Sequence, residues 1–143
     1  MNTTLTEKIT GSWSLLSFEQ QSQNGQLSYP LGPDASGSIF YLPNGHVSVN
    51  IMQADRNPLI NSKLFENGNV HYRDIGYLAY SGTYHIEEDR GLMVHEVNVS
   101  LYPEWQGKPQ IRILKLEGDI LELSSDGPVG IDNDTFRLIW KRD

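Results

Sequence analysis

Hydrophobic and polar residues alternate in short runs along most of this chain, and this period of two is the pattern of β-strands with one buried face. Segment 46–52 is the clearest example, because Val47, Val49 and Ile51 alternate with polar residues. Turn sequences such as Gly118-Asp119 separate the runs and are typical of hairpins between antiparallel strands. The pattern therefore predicts a sheet of short strands joined by tight turns.

Eight segments follow this pattern at a spacing that is typical of antiparallel barrels. They are Ser12–Gln21, Ser38–Leu42, His46–Met52, Leu78–Glu87, Leu92–Tyr102, Gln110–Glu117, Ile120–Ser124 and Thr135–Arg142. The predicted fold is a single all-β domain over 1–143, an eight-stranded antiparallel up-and-down β-barrel with its core at 9–142. A barrel of about eight strands encloses its own side chains or one small ligand.

The alternation breaks between the third and fourth predicted strands. Residues 53–77 contain the breaker sequence Asp55-Arg56-Asn57-Pro58, and 59–77 predicts a short helical excursion that Asn67-Gly68-Asn69 interrupts. Long excursions in small domains are often lids. His71, Tyr72 and Arg73 therefore either close over a ligand or lie in a solvated loop.

The composition narrows the range of functions. The chain has no cysteine, which excludes disulfides and thiolate chemistry. Lysine and arginine number 11 against 18 aspartates and glutamates, a net charge of −7, which predicts no nucleic-acid partner and no membrane binding. The four histidines show no metal-binding spacing and no cofactor motif occurs, so we expect neither a metal nor a cofactor.

The first eight residues lack the basic start and apolar stretch of a signal peptide. No apolar run approaches the roughly 20 residues that a membrane span needs. Together with the absence of cysteine, this predicts a cytoplasmic location, whereas the sequence does not indicate an oligomeric state.

The two ends of the barrel pattern resemble the lipocalin signature. Gly11-x-Trp13 opens the first predicted strand, and Lys141 or Arg142 closes the last. In lipocalins the tryptophan closes one end of the barrel and a cation from the last strand stacks over it, an interaction of about 0.5–2 kcal/mol.

Motifs in the middle of the chain resemble the bacterial and fungal lipocalin-like domain family over 9–142. They are Tyr29-Pro30-Leu31-Gly32-Pro33-Asp34-Ala35-x-Gly37, Tyr41-x-Pro43-x-Gly45-x-x-Ser48-Val49, Tyr80-Ser81-Gly82-x-Tyr84, His95-x-Val97-x-Val99-Ser100-Leu101-x-Pro103-x-Trp105-x-Gly107 and Arg112. The resemblance implies a small lipocalin-like barrel and no particular activity. Glu96 and Asn98 depart from the family's usual histidine and acidic residue, and 59–77 lacks its alanine-rich helix.

Strand alternation places one cation on an apolar face. Arg112 shares a predicted inward face with Leu114, and a buried charge needs a partner. Arg112 therefore either anchors a ligand carboxylate or enolate, or pairs with Glu19, Glu96 or Glu104, or lies at the rim.

Tyrosines and a histidine are predicted to line the same interior. Tyr80 and Tyr84 flank Gly82, which is expected to leave space between them, and Tyr41 joins them. His95 lies on the predicted inward face of the fifth strand with Met93, Val97, Val99 and Leu101. It is either a core residue or a general base, and a one-residue slip in this strand would turn Glu96, Asn98 and Ser100 inward instead.

The predicted ligand-binding set is thus Tyr41, Tyr80, Tyr84, His95, Arg112 and Leu114. It favours a binding protein for a small apolar or amphipathic molecule. One alternative is a cofactor-free isomerase or cyclase, in which His95 or a tyrosine moves a proton and Arg112 stabilises negative charge. Another is a protein–protein module with a filled interior. The sequence contains no recognised catalytic motif, so it assigns no catalytic residue.

Overall fold

The computed structural model describes residues 4–56, 75–125 and 134–143. Within these ranges lie a short helix and nine strands: α1 (Leu5–Ile9), β1 (Gly11–Gln21), β2 (Leu27–Ser28), β3 (Ser36–Tyr41), β4 (His46–Met52), β5 (Tyr77–Glu87), β6 (Leu92–Ser100), β7 (Pro109–Glu117), β8 (Ile120–Ser125) and β9 (Thr135–Arg142). Short 3-10 turns at Glu88–Arg90 and Pro103–Trp105 join β5 to β6 and β6 to β7. The excursion predicted at 59–77, with His71, Tyr72 and Arg73, lies almost entirely outside the described residues.

The strands form a closed antiparallel barrel. From β3 to β9 each strand pairs with the next in chain order, β1 pairs with β3, and β9 returns to pair with β1. The two-residue β2 pairs only with the end of β1 and was not predicted. Closure gives the main strands a partner on both sides, which removes the exposed edges of an open sheet. The prediction of an all-β, eight-stranded antiparallel barrel is confirmed.

One end of the barrel is closed by Trp13 and α1. Trp13 is fully buried, and its indole N–H donates to the carbonyl oxygen of Ile9 at 2.9 Å. The Arg142 guanidinium lies 4.3 Å from the centre of the Trp13 ring. It also donates to the carbonyl oxygens of Thr10, at 3.1 Å, and Lys8. Arg142, rather than Lys141, is therefore the cation that covers the tryptophan.

Replacing Arg142 by methionine is expected to lower the free energy of unfolding by about 2 kcal/mol, because a cation–π contact and two hydrogen bonds are lost. Urea denaturation measures this change. Lys141→Met is the matched control, since this neighbouring side chain is exposed, and surface changes of this kind usually stay within about 0.5 kcal/mol. Equal losses in the two variants would contradict the structural role of Arg142.

A β-bulge changes which residues of β6 face the interior. Ser81 pairs with Val99 but Gly82 pairs with Val97, so Asn98 is an extra residue between two registers. An extra residue reverses the alternation beyond it. Met93, His95 and Val97 are buried as predicted, whereas Val99 is 60% exposed.

The sequence-based assignment of Val99 and Leu101 to the inner face is therefore wrong. Both are exposed, and Ser100 instead pairs with Tyr80 on β5. Tyr80 faces inward, since it also pairs with the buried Val49 of β4. The question of which face of β6 points inward thus has a different answer on each side of Asn98.

Candidate functional site

A buried histidine lies between two tyrosine hydroxyls inside the barrel. His95 is 2% exposed. Its Nε2 lies 2.7 Å from the hydroxyl oxygen of Tyr41, and its Nδ1 lies 2.6 Å from that of Tyr80. The register of the strands explains why these three side chains come together. One row of paired residues runs across β3 to β6 and consists of Tyr41, Val47, Gly82 and Val97. Tyr80 and His95 are the neighbouring inward positions on either side of that row, and Gly82 contributes no side chain between them.

Burial sets the protonation of this cluster. Desolvation, followed by the positive charge of Arg112, lowers the pKa of His95 to about 3. Desolvation raises the pKa of Tyr80 to about 12, although Arg112 opposes the shift. Burial also raises the pKa of Tyr41, with smaller contributions from Tyr80 and Tyr84. At neutral pH the imidazole and both hydroxyls are therefore uncharged.

Arg112 supplies the positive charge beside this cluster. It pairs with the fully buried Met93 across β6 and β7, so it faces the interior as predicted. The half-buried guanidinium donates to the side-chain oxygen of Gln110 at 2.8 Å and to the carbonyl oxygen of Ile111 at 2.9 Å. Of the carboxylates considered as partners, Glu19 lies instead 2.6 Å from Arg137.

Tyr84 and Leu114, the other two predicted ligand-binding residues, do not contact His95 through a hydrogen bond. The Tyr84 ring packs edge to face on Tyr41, with 4.7 Å between ring centres, and its hydroxyl donates to the carbonyl oxygen of Leu42 at 3.1 Å. Leu114 is a buried core residue opposite Leu123. Of the six predicted residues, the structure thus brings Tyr41, Tyr80 and His95 together with Arg112 nearby. Tyr84 supports Tyr41, and Leu114 belongs to the core.

A side chain at Gly82 would collide with the neighbouring strand. A Cβ atom added to Gly82 would lie 1.8 Å from the carbonyl oxygen of Glu96. The bulged backbone of β6 therefore occupies the room that a side chain would need. The glycine therefore permits close approach of the two strands.

An aromatic group that the sequence left without a definite position extends the site. Trp105, in the 3-10 turn after β6, packs edge to face on Tyr80 at 6.2 Å and on Tyr102 at 5.0 Å. Tyr102 is buried and its hydroxyl donates to the carbonyl oxygen of Tyr77. The aromatic residues at 102–105 could have indicated this part of the site from the sequence. The direction in which the indole points, however, depends on the conformation of the turn. No feature of the sequence indicated that Gln110 accepts a hydrogen bond from Arg112.

A separate groove of about 680 Å³ crosses the outer face of β3 to β6. Its lining residues are Phe40, Leu42, Asn44, His46, Val47, Ser48, Ser81, Gly82, Asn98 and Val99. None of these residues belongs to the tyrosine–histidine cluster, so the groove is distinct from the interior site.

In the parts of the chain that the structure covers, no helix has the length and apolar character required to cross a membrane. Among the same residues, no three histidine, aspartate or glutamate side chains are grouped in a way that could hold a metal ion.

A closed antiparallel barrel with a tryptophan and arginine at one end defines the lipocalin-type class of protein. The model of the lipocalin-like domain family matches residues 10–143, so this chain belongs to that family, as its motifs predicted. The chain is also similar to the 4'-hydroxy-3'-methoxypropiophenone carrier protein ppsC of Aspergillus oryzae. The two are 40% identical over a 75-residue alignment, which covers 46% of this chain and 67% of that protein.

Proposed function

We propose that this protein binds and carries a small, largely apolar molecule whose polar end lies against Tyr80 and Arg112, with His95 behind Tyr80. The observation that carries the proposal is a neutral histidine with both ring nitrogens at tyrosine hydroxyls, packed within a mostly apolar core and beside a cation. Binding sites for small molecules commonly combine apolar walls with a few fixed polar groups. Membership of the lipocalin-like domain family supports a role in binding hydrophobic ligands.

The chemistry of the cluster favours binding over the isomerase or cyclase alternative. A general base works best when its pKa lies near the working pH. The pKa of His95 is about 3, and that of Tyr80 is about 12. Neither group exchanges protons readily near neutral pH, whereas both hydrogen-bond well when uncharged.

The name of the Aspergillus oryzae relative suggests the kind of molecule that is carried. Its stated ligand, 4'-hydroxy-3'-methoxypropiophenone, is an aromatic ketone with an apolar ring and polar oxygens. We extend this chemical class, not the individual compound, to the present chain. We further propose that the single barrel at 9–142 is the binding unit, and that it acts in the cytoplasm without nucleic acid or membrane partners, because the chain is acidic and lacks cysteine.

Isothermal titration calorimetry with 4'-hydroxy-3'-methoxypropiophenone tests the proposal. For a ligand of about 13 non-hydrogen atoms, roughly 0.5 kcal/mol per atom corresponds to a Kd on the order of 10 μM. Arg112→Met is expected to weaken binding about tenfold, because a hydrogen bond to a charged group is lost. Lys115→Met is the control on the same strand, since that side chain is exposed.

Saturable one-to-one binding that weakens in Arg112→Met but not in Lys115→Met is the expected result. Absence of heat and of any adduct in native mass spectrometry, for this ketone and for simple aromatic hydrocarbons alike, would overturn the carrier function. That result would favour a filled barrel.

A further inference from the structure

The tyrosine–histidine cluster of Tyr41, Tyr80 and His95 has more hydrogen-bond donors than hydrogen bonds between its members. A neutral imidazole carries one N–H, and the two tyrosines carry one O–H each, which makes three donors. Among the described residues the cluster makes two hydrogen bonds, Tyr41 to Nε2 and Tyr80 to Nδ1. Each contact uses one hydrogen, so the hydroxyl hydrogen of one tyrosine is left over. The histidine tautomer decides which tyrosine this is.

Burial distinguishes the two tautomers. If Nε2 carries the hydrogen, Tyr41 accepts it, and the O–H of Tyr41 needs another acceptor. Tyr41 is 0% exposed, and in the described ranges its hydroxyl has no hydrogen-bond contact besides His95. A buried donor without an acceptor costs about 1–3 kcal/mol. This tautomer is therefore disfavoured.

If Nδ1 carries the hydrogen, every donor in the buried half of the cluster is used. Tyr41 donates to Nε2, and Nδ1–H donates to the hydroxyl oxygen of Tyr80. The hydrogen left over then belongs to Tyr80, whose side chain is partly exposed, in contrast to Tyr41, although its hydroxyl is itself desolvated. Tyr80 also lies near the positive charge of Arg112 and packs edge to face on the ring of Trp105. Both neighbours suit an aromatic ligand that presents an electron-rich oxygen.

We propose that Tyr80 donates its hydroxyl hydrogen to an acceptor oxygen of the ligand, so that the site selects carbonyl-bearing molecules over otherwise identical hydrocarbons. This inference rests on the proposed carrier function and specifies its ligand class. His95 and Tyr41 act as positioning residues, because they orient the Tyr80 hydroxyl through the tautomer rather than by touching the ligand. The contact that Tyr80 contributes is one hydrogen bond, in addition to the one that Arg112 donates.

The test compares propiophenone with propylbenzene, which share a skeleton and differ at the carbonyl. The Kd values of both compounds are measured by calorimetry for the wild type, Tyr80→Phe and Tyr77→Phe. A neutral hydrogen bond corresponds to about 2–10-fold in affinity. The ratio of the two Kd values is expected to fall by that factor in Tyr80→Phe. Tyr77→Phe is the matched control on β5, since its hydroxyl donates to Asn50 and not to the cluster.

Spectroscopy gives a second readout, and its NMR part needs no variant. Nitrogen NMR of the wild-type protein is expected to show His95 protonated at Nδ1. Infrared spectra of bound propiophenone are expected to show a lowered carbonyl stretching frequency, and Tyr80→Phe should reverse that shift. Protonation at Nε2 in the free protein would overturn the inference whether or not the variant folds.

Failure of the inference and failure of the carrier function give different results. If both compounds bind and the ratio of their Kd values is the same in Tyr80→Phe and the wild type, the selective role of Tyr80 is refuted while the carrier function stands. If neither compound binds the wild-type protein, the carrier function fails and the inference fails with it.

Discussion

Acidification from pH 6.5 towards 3 is expected to destabilise the protein by about 1.4 kcal/mol per pH unit through His95 alone. The folded pKa of this histidine is about 3, against an ordinary value of 6.5. Above pH 6.5 the imidazole is neutral in both states, and the full stability is present. Below that pH the unfolded chain binds a proton that the folded chain does not, so unfolding becomes easier until the pH reaches the folded pKa. The total effect is on the order of 5 kcal/mol.

Urea denaturation at a series of pH values between 7.5 and 4, roughly the window that the linkage defines, measures this slope. In His95→Gln the slope should largely disappear, because the amide has a donor and an acceptor for the two tyrosines but does not titrate. His85→Gln is the matched control, since the His85 side chain is 55% exposed. An unchanged slope in His95→Gln would show that other groups cause the acid sensitivity.

Replacing Gly82 by alanine is expected to lower the free energy of unfolding by about 3–5 kcal/mol, among the largest effects of a single substitution. The new Cβ atom would lie 1.8 Å from the carbonyl oxygen of Glu96 and 3.0 Å from the amide nitrogen of Asn98. Both atoms belong to the β6 backbone at the bulge, so the clash cannot be relieved by rotating a side chain. β6 must move away from β5, and His95 moves with it.

Thermal or urea denaturation measures this loss, and the nitrogen NMR signal of His95 reports whether its tyrosine contacts persist. Gly91→Ala is the control, because nothing lies within 4 Å of its Cβ position. Its φ of +66° makes alanine unfavourable there by only about 1–2 kcal/mol. If Gly82→Ala costs no more than Gly91→Ala, the two strands do not approach each other as closely at the bulge as the structure indicates.

The bulge connects these two predictions to the proposed function. It lies between the two halves of the site, because His95 precedes Asn98 on β6 and Tyr80 pairs with Ser100 beyond it. A regular strand would keep one face inward throughout and would change the register between Tyr80 and β6. The geometry that places Nδ1 of His95 at the Tyr80 hydroxyl therefore depends on a backbone irregularity rather than on a residue of the cluster.

The strands and most of their inward faces can be predicted from the sequence alone. A period of two reports directly which side of a strand is apolar, so Val47, Val49, Ile51 and Leu114 were placed correctly. Family membership was also readable, because its motifs lie within short segments of the chain. The alternation of apolar and polar residues indicates which face of the strand a residue lies on, but not its position along the barrel axis.

Which inward residues contact each other cannot be predicted in this way, because it depends on how the strands pair in the folded barrel. Tyr41, Tyr80 and His95 lie on β3, β5 and β6, and their depths depend on the pairing of each strand with the next. That pairing is a property of two strands together, so the reversal that exposes Val99 could not be read from β6 alone. The low pKa of His95 likewise follows from burial and from Arg112 on a different strand, and both exist only once the barrel has closed.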